Sequence, residues 1–305
     1  MSVESGGPGQ KQGPRAEGPP SGPTPGRGRL VLVATPIGNL GDLSPRAGQA
    51  LAAADVVCCE DTRHSRKLLT AAGIRAERLV AVHEHNERAQ AVAVVRWLAE
   101  GKVVAVVTDA GLPGISDPGE RLVQAAAAAG HVVEVVPGPS AAVAGLVVSG
   151  LPTGRFCFEG FLPRKGAERA RRVAAVAAEE RTTVLFEAPH RLASTLGELA
   201  AACGPDRPCA LARELTKLHE EVWRGTLAAA AARASEAVPR GEHVVVLGGA
   251  APAATSDEEV AAAVAEARAA GLSARDAANE VAERLGVTRN RAYAATRTGP
   301  AGGRR

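Results

Sequence analysis

Two α/β domains followed by a short helical segment are what the sequence predicts, on three observations. From Leu30 onward, short Val-rich runs, polar or Gly/Pro loops and Ala/Leu-rich stretches of amphipathic type alternate, the pattern of parallel α/β architecture. The 305 residues exceed an ordinary single domain and bury a core without staples. After Gly150 the composition shifts while strands and helices still alternate, less regularly. The boundaries follow: a Gly/Pro-rich tail over 1–28, an N-terminal α/β domain over 29–150, a second over 151–250 and a helical segment over 256–298.

The tail comes first: fourteen of its 28 residues are Gly or Pro and it has no apolar core of signal-peptide length, so it reads as disordered. Five strands follow, LVLVA (30–34), DVVCC (55–59), RLVAV (78–82), VVAVVT (103–108) and VVEVV (132–136). Their exit loops are TPIGNLGD, EDTRHS, HEHNE, DAGLPGISDPG and PGPSA. In a parallel sheet all five leave the carboxyl edge, where open α/β sheets bind ligands. The uncharged run Val135 to Gly154 is long enough to cross a bilayer, but its prolines and glycines break it into strand, turn and short helix. No membrane partner is expected. Beyond it lie GRFCFEGFLPRK, TTVLFEAPHRL, PCALARELTKLHEEVWRGTL and EHVVVLGG, then the linker APAATSD.

Charge and cysteines narrow the class. Lys+Arg 36 against Asp+Glu 33 gives +3, which excludes a uniformly basic nucleic-acid coat but leaves room for a local patch. The five cysteines are odd in number and contain no C-x-x-C, so reduced thiols of a cytoplasmic protein are the expectation. No G-x-G-x-x-G follows a strand, and Gly101-Lys102 lacks the upstream glycine of a P-loop. Glycine-rich turns that carry carboxylates and few cations suit a cationic or zwitterionic ligand better than a polyphosphate. A sulfonium cofactor meets that description.

Eight ordered motifs, ATPIGNLGDLSPRA, CEDTRHSRKLL, HEHNE, TDAGLPGISDPG, VPGPSA, FEGFLPRKG, FEAPHR and ARELTKLHEE, are similar to those of the tetrapyrrole-methylase superfamily of S-adenosylmethionine enzymes. Within it the chain resembles the branch of bacterial 16S rRNA (cytidine-2′-O)-methyltransferases, from about Leu30 to Tyr293. Leu112 and Ala188 stand where that pattern has Thr and Ser; neither change removes a charged group. The resemblance implies two α/β domains of the tetrapyrrole-methylase type, a homodimer, S-adenosyl-L-methionine folded between the two domains of each subunit, and 16S rRNA of the 30S subunit as substrate. It further implies cofactor contacts from Pro36, Ile37 and Gly38, from Asp109, Gly111, Ile115 and Ser116, from Ser140 and Ala141, and from Glu187 and Ala188 of the second domain.

Methyl transfer to a ribose hydroxyl is an in-line displacement in which orientation carries much of the acceleration, and a base near the oxygen helps. Glu60, Asp61, His64, His83, His85 and Glu187 are candidates. The Glu60-Asp61-Thr62-Arg63 turn is favoured, since adjacent carboxylates beside a cation can shift pKa in opposite directions. A carboxylate pair that caps the next helix and salt-bridges Arg63 is an equal reading. His83 and His85, alternating on a strand, would face the same way, but with no third ligand at a recognised spacing no metal is assigned.

Arg155 to Arg172 holds six basic residues, two acidic ones and three of the four phenylalanines, which suits RNA. By alternation two of Phe156, Phe158 and Phe161 belong to a buried strand face, leaving Arg164 and Lys165 as the RNA candidates. RELTKLHEE is either a second substrate edge or an exposed helix start with ion pairs. The C-terminal segment resembles a helix-turn-helix: Ser273 and Thr288 as N-caps, Asp276 completing a capping box, Gly286 ending the first helix. Its Arg289 and Arg291 either touch RNA phosphates or sit on a wet helix face. A relative acting on a small tetrapyrrole, and an RNA-binding module without chemistry, are the rival readings.

Overall fold

A computed structural model describes residues 28–236, 239–251 and 255–297. The tail expected over 1–28 therefore lies outside the described residues, except Gly28, which is buried against Leu98. The chain forms two compact units. One runs to Ala177 and includes Thr182–Gly248; the other joins Ala178–Arg181 to the chain from Gly249 onward.

The first unit opens with β1 (Arg29–Val33), α1 (Pro45–Ala52), β2 (Val56–Cys59), α2 (Thr62–Ala71), β3 (Leu79–Ala81), α3 (Glu87–Ala99), β4 (Val103–Val106), α4 (Glu120–Ala128), β5 (Val132–Val136) and α5 (Ala141–Ser149). The strands form one sheet in the order β3-β2-β4-β1-β5, every pair parallel. All five Val-rich runs are strands in the direction the alternation requires, and helices cover both faces. Leu30, Val56, Val104, Val94, Trp97 and Leu122 pack on one side; Val31, Val33, Val57, Leu51 and Leu69 pack on the other. Burial on two faces explains why the central strands lack alternation, while β5 at the sheet edge leaves Val132 and Val135 exposed.

The same unit continues with β6 (Phe156–Phe161), α6 (Gly166–Ala178), β7 (Thr182–Glu187), α7 (Pro189–Cys203), β8 (Pro208–Arg213), β9 (Glu221–Thr226), α8 (Leu227–Glu236) and β10 (His243–Leu247). This sheet has the order β6-β7-β10-β8-β9 and is mixed: β6 and β7 are parallel, and the remaining pairs are antiparallel. The β8–β9 hairpin corrects the reading of RELTKLHEE as a helix start. Arg213 ends β8, Glu221 opens β9, and the turn between them is held by Lys217 to Glu214 and Glu242. β6 carries a second correction. A register shift between Phe158 and Gly160 sets Phe161 in phase with Phe158, both against Phe186; Phe156 and Phe161 are nevertheless exposed, and only Phe158 packs on the core cluster.

The second unit contains α9 (Asp257–Ala269), α10 (Ala274–Leu285) and α11 (Arg289–Arg297) around a small Ala/Val core. Ser273 and Thr288 cap α10 and α11, and Gly286 ends α10 in the left-handed conformation. The capping box, however, is at Ser256–Glu259; the Asp276 carboxylate instead accepts from the Ser273 hydroxyl. Among the described residues no helix is long and apolar enough to cross a membrane, and the Val135–Gly154 run divides between β5, a Pro/Gly turn and α5 as expected.

α5 joins the two sheets of the first unit. Its Ala142 and Leu146 pack against Val184, Ala210, Ala212 and Val244 of the second sheet, and Gly145 sits where a Cβ would lie 2.7 Å from Val244 Cγ1. Val is β-branched and stiff, so it cannot swing away. Gly145→Ala is expected to lower stability by about 1–3 kcal/mol through overpacking, partly offset by the roughly 1 kcal/mol helix preference of Ala. A denaturant titration reads this as an earlier midpoint; an unchanged or later midpoint would mean that α5 shifts freely on the sheet.

Candidate functional site

Three of the five exit loops are stitched to one another by hydrogen bonds. Thr35 and Gly111 form an isolated antiparallel bridge, Thr35 N to Gly111 O at 2.9 Å and Gly111 N to Thr35 O at 3.2 Å, and the Thr35 hydroxyl donates to Thr108 O at 3.2 Å. Gly111 has φ +81, open to glycine without the steric cost other residues meet. The β2 and β4 loops are joined by a side chain: Asp109 Oδ1 accepts the Asp61 N–H at 3.3 Å.

HEHNE has a structural use. Asn86 accepts from His83 N and donates to Ala81 O, closing the turn after β3. Buried Glu87 then reaches the far end of the β4 loop, where Oε1 accepts Gly119 N at 2.8 Å and Arg121 N at 3.1 Å. A carboxylate at the start of α4 is favoured by the free N–H groups and the helix dipole. His83 and His85 lie beyond the end of β3, exposed in this turn, and do not share a strand face as the sequence suggested.

Above these loops is a cavity of about 420 Å³, within the range of small-molecule sites. Its wall from the first sheet holds Glu60, Asp109 and Asp117; its wall from the second holds Phe161, Phe186 and His243. No Lys or Arg is among its lining residues. The electrostatic result is visible in the carboxylates. Burial, then the charges of Glu60 and Asp109, push Asp117 up to about 7. Burial, then Asp109, holds Glu60 above the ordinary carboxylate range. His243 is buried, which holds its pKa below the ordinary range, and its Nδ1 lies 3.0 Å from Gly241 O. A carbonyl only accepts, so Nδ1 donates and the neutral ring presents Nε2 as an acceptor.

Of the residues singled out from sequence, Ile37, Glu60, Asp109, Gly111, Ile115, Ser116, Ser140, Ala141, Glu187 and Ala188 line this cavity. Pro36 and Gly38 line an adjoining cavity with His64 and Lys67, which shares Ile37 and Asp109. Glu187 is fully engaged: Oε1 accepts the Ala188 N–H and pairs with Arg191, and Oε2 accepts the Thr195 hydroxyl. It anchors the start of α7 and is ill placed to act as a base. Asp61 and Arg63 line neither of these two cavities. Asp61 caps α2 by accepting Arg63 N and pairs with the Arg63 guanidinium at 3.0 Å, which lowers its pKa to about 2. Glu60 and Asp61 do shift in opposite directions, but on opposite sides of the loop.

Arg164 and Lys165 are exposed at the end of the β6 segment and form no ion pair among the described residues. Arg169 and Arg172 of the same basic stretch are engaged, with Glu198 and Glu159. Arg289 is exposed, whereas Arg291 pairs with Asp257 at 2.8 Å within the helical unit. Asp117, Phe161, Phe186 and His243 line the cavity and are not among the residues assigned to it from sequence. Asp117 stands one residue past the turn that ends at Ser116, the β6 bulge hides Phe161, and His243 opens a uniform Val run with nothing to distinguish it.

The profile of the Tetrapyrrole (Corrin/Porphyrin) Methylases matches residues 29–231. A protein of Mycobacterium tuberculosis named Ribosomal RNA small subunit methyltransferase I is 50% identical over 256 residues, 84% of this chain and 89% of that protein. Its namesake in Synechocystis is 44% identical over 269 residues, 87% of this chain and 96% of its own length. Among solved structures, uroporphyrin-III C-methyl transferase from Thermus thermophilus, complexed with S-adenyl homocysteine, aligns with TM-score 0.51 and 24% identity over 73% of this chain and 97% of its own.

The raised pKa of Asp117 has a thermodynamic consequence. A carboxylate whose folded pKa exceeds its unfolded value stabilises the fold only while protonated, so that stability is full below about pH 4 and lost as pH rises through about 7. Asp117→Asn should therefore raise the melting temperature above pH 7 and have little effect at pH 4. The gain is on the order of 1–2 kcal/mol, less than three pKa units imply, because the side chain is partly exposed and solvent screens it. Melting curves at the two pH values check this; an equal effect at both would mean that the cavity does not strain this carboxylate.

Proposed function

The chain belongs to the family of tetrapyrrole (corrin/porphyrin) methylases, and from that membership we propose that it is an S-adenosylmethionine-dependent methyltransferase of the 2′-oxygen of a cytidine ribose in 16S rRNA. The observation that carries the reading is the agreement of two relatives, 44% and 50% identical over most of the chain, on small-subunit ribosomal RNA as the methylated molecule. The cavity supports the cofactor. Its lining carries carboxylates but no Lys or Arg, a poor site for a polyphosphate and a suitable one for a ligand with sulfonium and ammonium groups.

On this reading Asp109 and the turn through Gly111 to Ser116 face the cofactor's polar groups, Ser140 and Ala141 bound it from the start of α5, and Phe161, Phe186 and Ala188 close over it from the second sheet. The sulfonium supplies a methyl group that is ready to transfer to an oxygen nucleophile. The residues themselves orient the acceptor, exclude water and manage its proton. Arg164 and Lys165 extend to solvent without ion-pair partners among the described residues, as suits phosphate-binding side chains. Arg289 is a second candidate, while Arg291 contributes to RNA only by giving up Asp257. A homodimer fits the apolar side chains that β5 and α5 expose, Val132, Val135, Val143 and Val147, and the five free thiols fit a cytoplasmic protein.

Incubation of the protein with methyl-labelled S-adenosylmethionine and 30S subunits is expected to place label on a cytidine 2′-oxygen of 16S rRNA. Label appearing only in a tetrapyrrole offered in parallel would overturn the substrate. Asp109→Asn should weaken cofactor binding by about tenfold in calorimetry, as the loss of a charge-assisted hydrogen bond does, and leave RNA affinity unaltered; the reverse pattern would remove Asp109 from the cofactor site. Replacing Arg164 and Lys165 together by Ala should flatten the salt dependence of RNA binding by roughly 0.7–0.9 log units of slope for each phosphate that the pair neutralises, whereas an unchanged slope takes the pair out of the footprint.

A further inference from the structure

We propose that Asp117 is the proton acceptor for the ribose hydroxyl, and that Glu60 and Asp109 are positioning residues which hold the loops around it. This rests on the methyl-transfer reading above. Three carboxylates of the first sheet line the cavity: Asp109 takes the Asp61 N–H, and the Asp109 N–H near Glu60 favours that carboxylate in its charged form. Asp117 has no hydrogen-bond or ion-pair partner among the described residues, although it is half-buried. Glu187 is saturated by Ala188, Arg191 and Thr195, and Glu242 is paired with Lys217. Among the carboxylates lining the cavity, that leaves Asp117 with both oxygens available to a substrate.

The residue just before it adds a geometric reason. Ser116 holds φ +62, a left-handed conformation that a non-glycine residue adopts at a cost and that clusters at functional sites. The Ser116 hydroxyl lies against Gly160 at the bulge of β6, where a Cβ would come within 2.8 Å of it. The β4 loop thus packs against the second sheet immediately beside Asp117. The charged and titratable groups that line the cavity with it are Glu60 and Asp109 from the loops, and Glu187, Glu242 and His243 from the far wall.

The step balances without a further reagent. The oxygen forms its bond to the methyl carbon as the carbon–sulfur bond breaks, the electron pair of that bond stays on sulfur, and the hydroxyl proton passes to Asp117. A neutral thioether leaves, and the protonated carboxyl returns its proton to solvent once the site opens. A base with its pKa near the working pH is the efficient choice, and Asp117, near 7, meets that condition better than an ordinary aspartate.

The test uses the full-length protein with 30S subunits, in single turnover and at saturating cofactor. For the native protein the rate should rise with pH along a limb below about 7, since the bound cation favours the charged carboxylate. Asp117→Asn should be slower by about 100-fold or more and lose that limb, and Asp117→Glu should recover part of the rate. Calorimetry in buffers of different ionisation enthalpy gives a readout independent of turnover. Binding of the cationic cofactor at pH 7 should release a fraction of a proton from the native protein and none from Asp117→Asn, with affinities within a few-fold. A variant that keeps the rate within about threefold, or keeps the pH limb, overturns the assignment, as does cofactor binding to the native protein without proton release. Should the native protein bind cofactor with proton release yet methylate no RNA, the functional reading fails while the placement of Asp117 against the cofactor stands.

Discussion

The structure of the site depends on negative charge gathered in a cavity whose lining holds no Lys or Arg. Glu60, Asp109 and Asp117 share one cavity, and the raised pKa values of Glu60 and Asp117 record the cost of that proximity in a partly desolvated space. A fold left alone with such a cluster would be better served by a lysine. That none lines the cavity is understandable if a cationic ligand supplies the compensating charge when it binds.

Parallel pairing is what brings these carboxylates together. Glu60 follows β2 and Asp109 follows β4, strands that are neighbours in the sheet, so their loops leave the same edge and the Asp109 carboxylate reaches the Asp61 N–H. Glu87, from the loop after β3, holds the far end of the β4 loop through Gly119 and Arg121. Three chain-distant segments thereby fix one turn, which allows Ser116 to persist in a strained conformation beside Asp117. The second sheet contributes an aromatic and apolar wall, Phe161 and Phe186 at 5.6 Å between ring centroids, and needs fewer polar groups.

The first sheet was legible because both its faces are buried: Val-rich runs followed by loops with unusual residues leave little choice of architecture. The second was less so. β8 and β9 form a hairpin whose turn, RELTKLHEE, carries ion pairs that look helical in sequence, since Lys217 lies three residues after Glu214 as it would on a helix. The bulge in β6 shifts Phe161 toward the cavity, and a local backbone irregularity of that kind leaves no trace in residue order. Site residues on loops are legible because glycines and carboxylates mark them. His243 is not, because its neighbours are valines, and its meaning comes from the strand order β7-β10-β8, a long-range fact. Asp61 carries two meanings in sequence, and the geometry gives it the cap of α2.

The most direct measurement is a crystal structure of the protein with S-adenosylmethionine bound. The cofactor should lie in the cavity between the β4 loop and the wall of Phe161, Phe186 and Ala188, with its methyl group turned toward the Asp117 carboxylate and room between them for an acceptor oxygen. A cofactor seated elsewhere in the molecule, or one whose methyl group faces away from Asp117, would contradict the account.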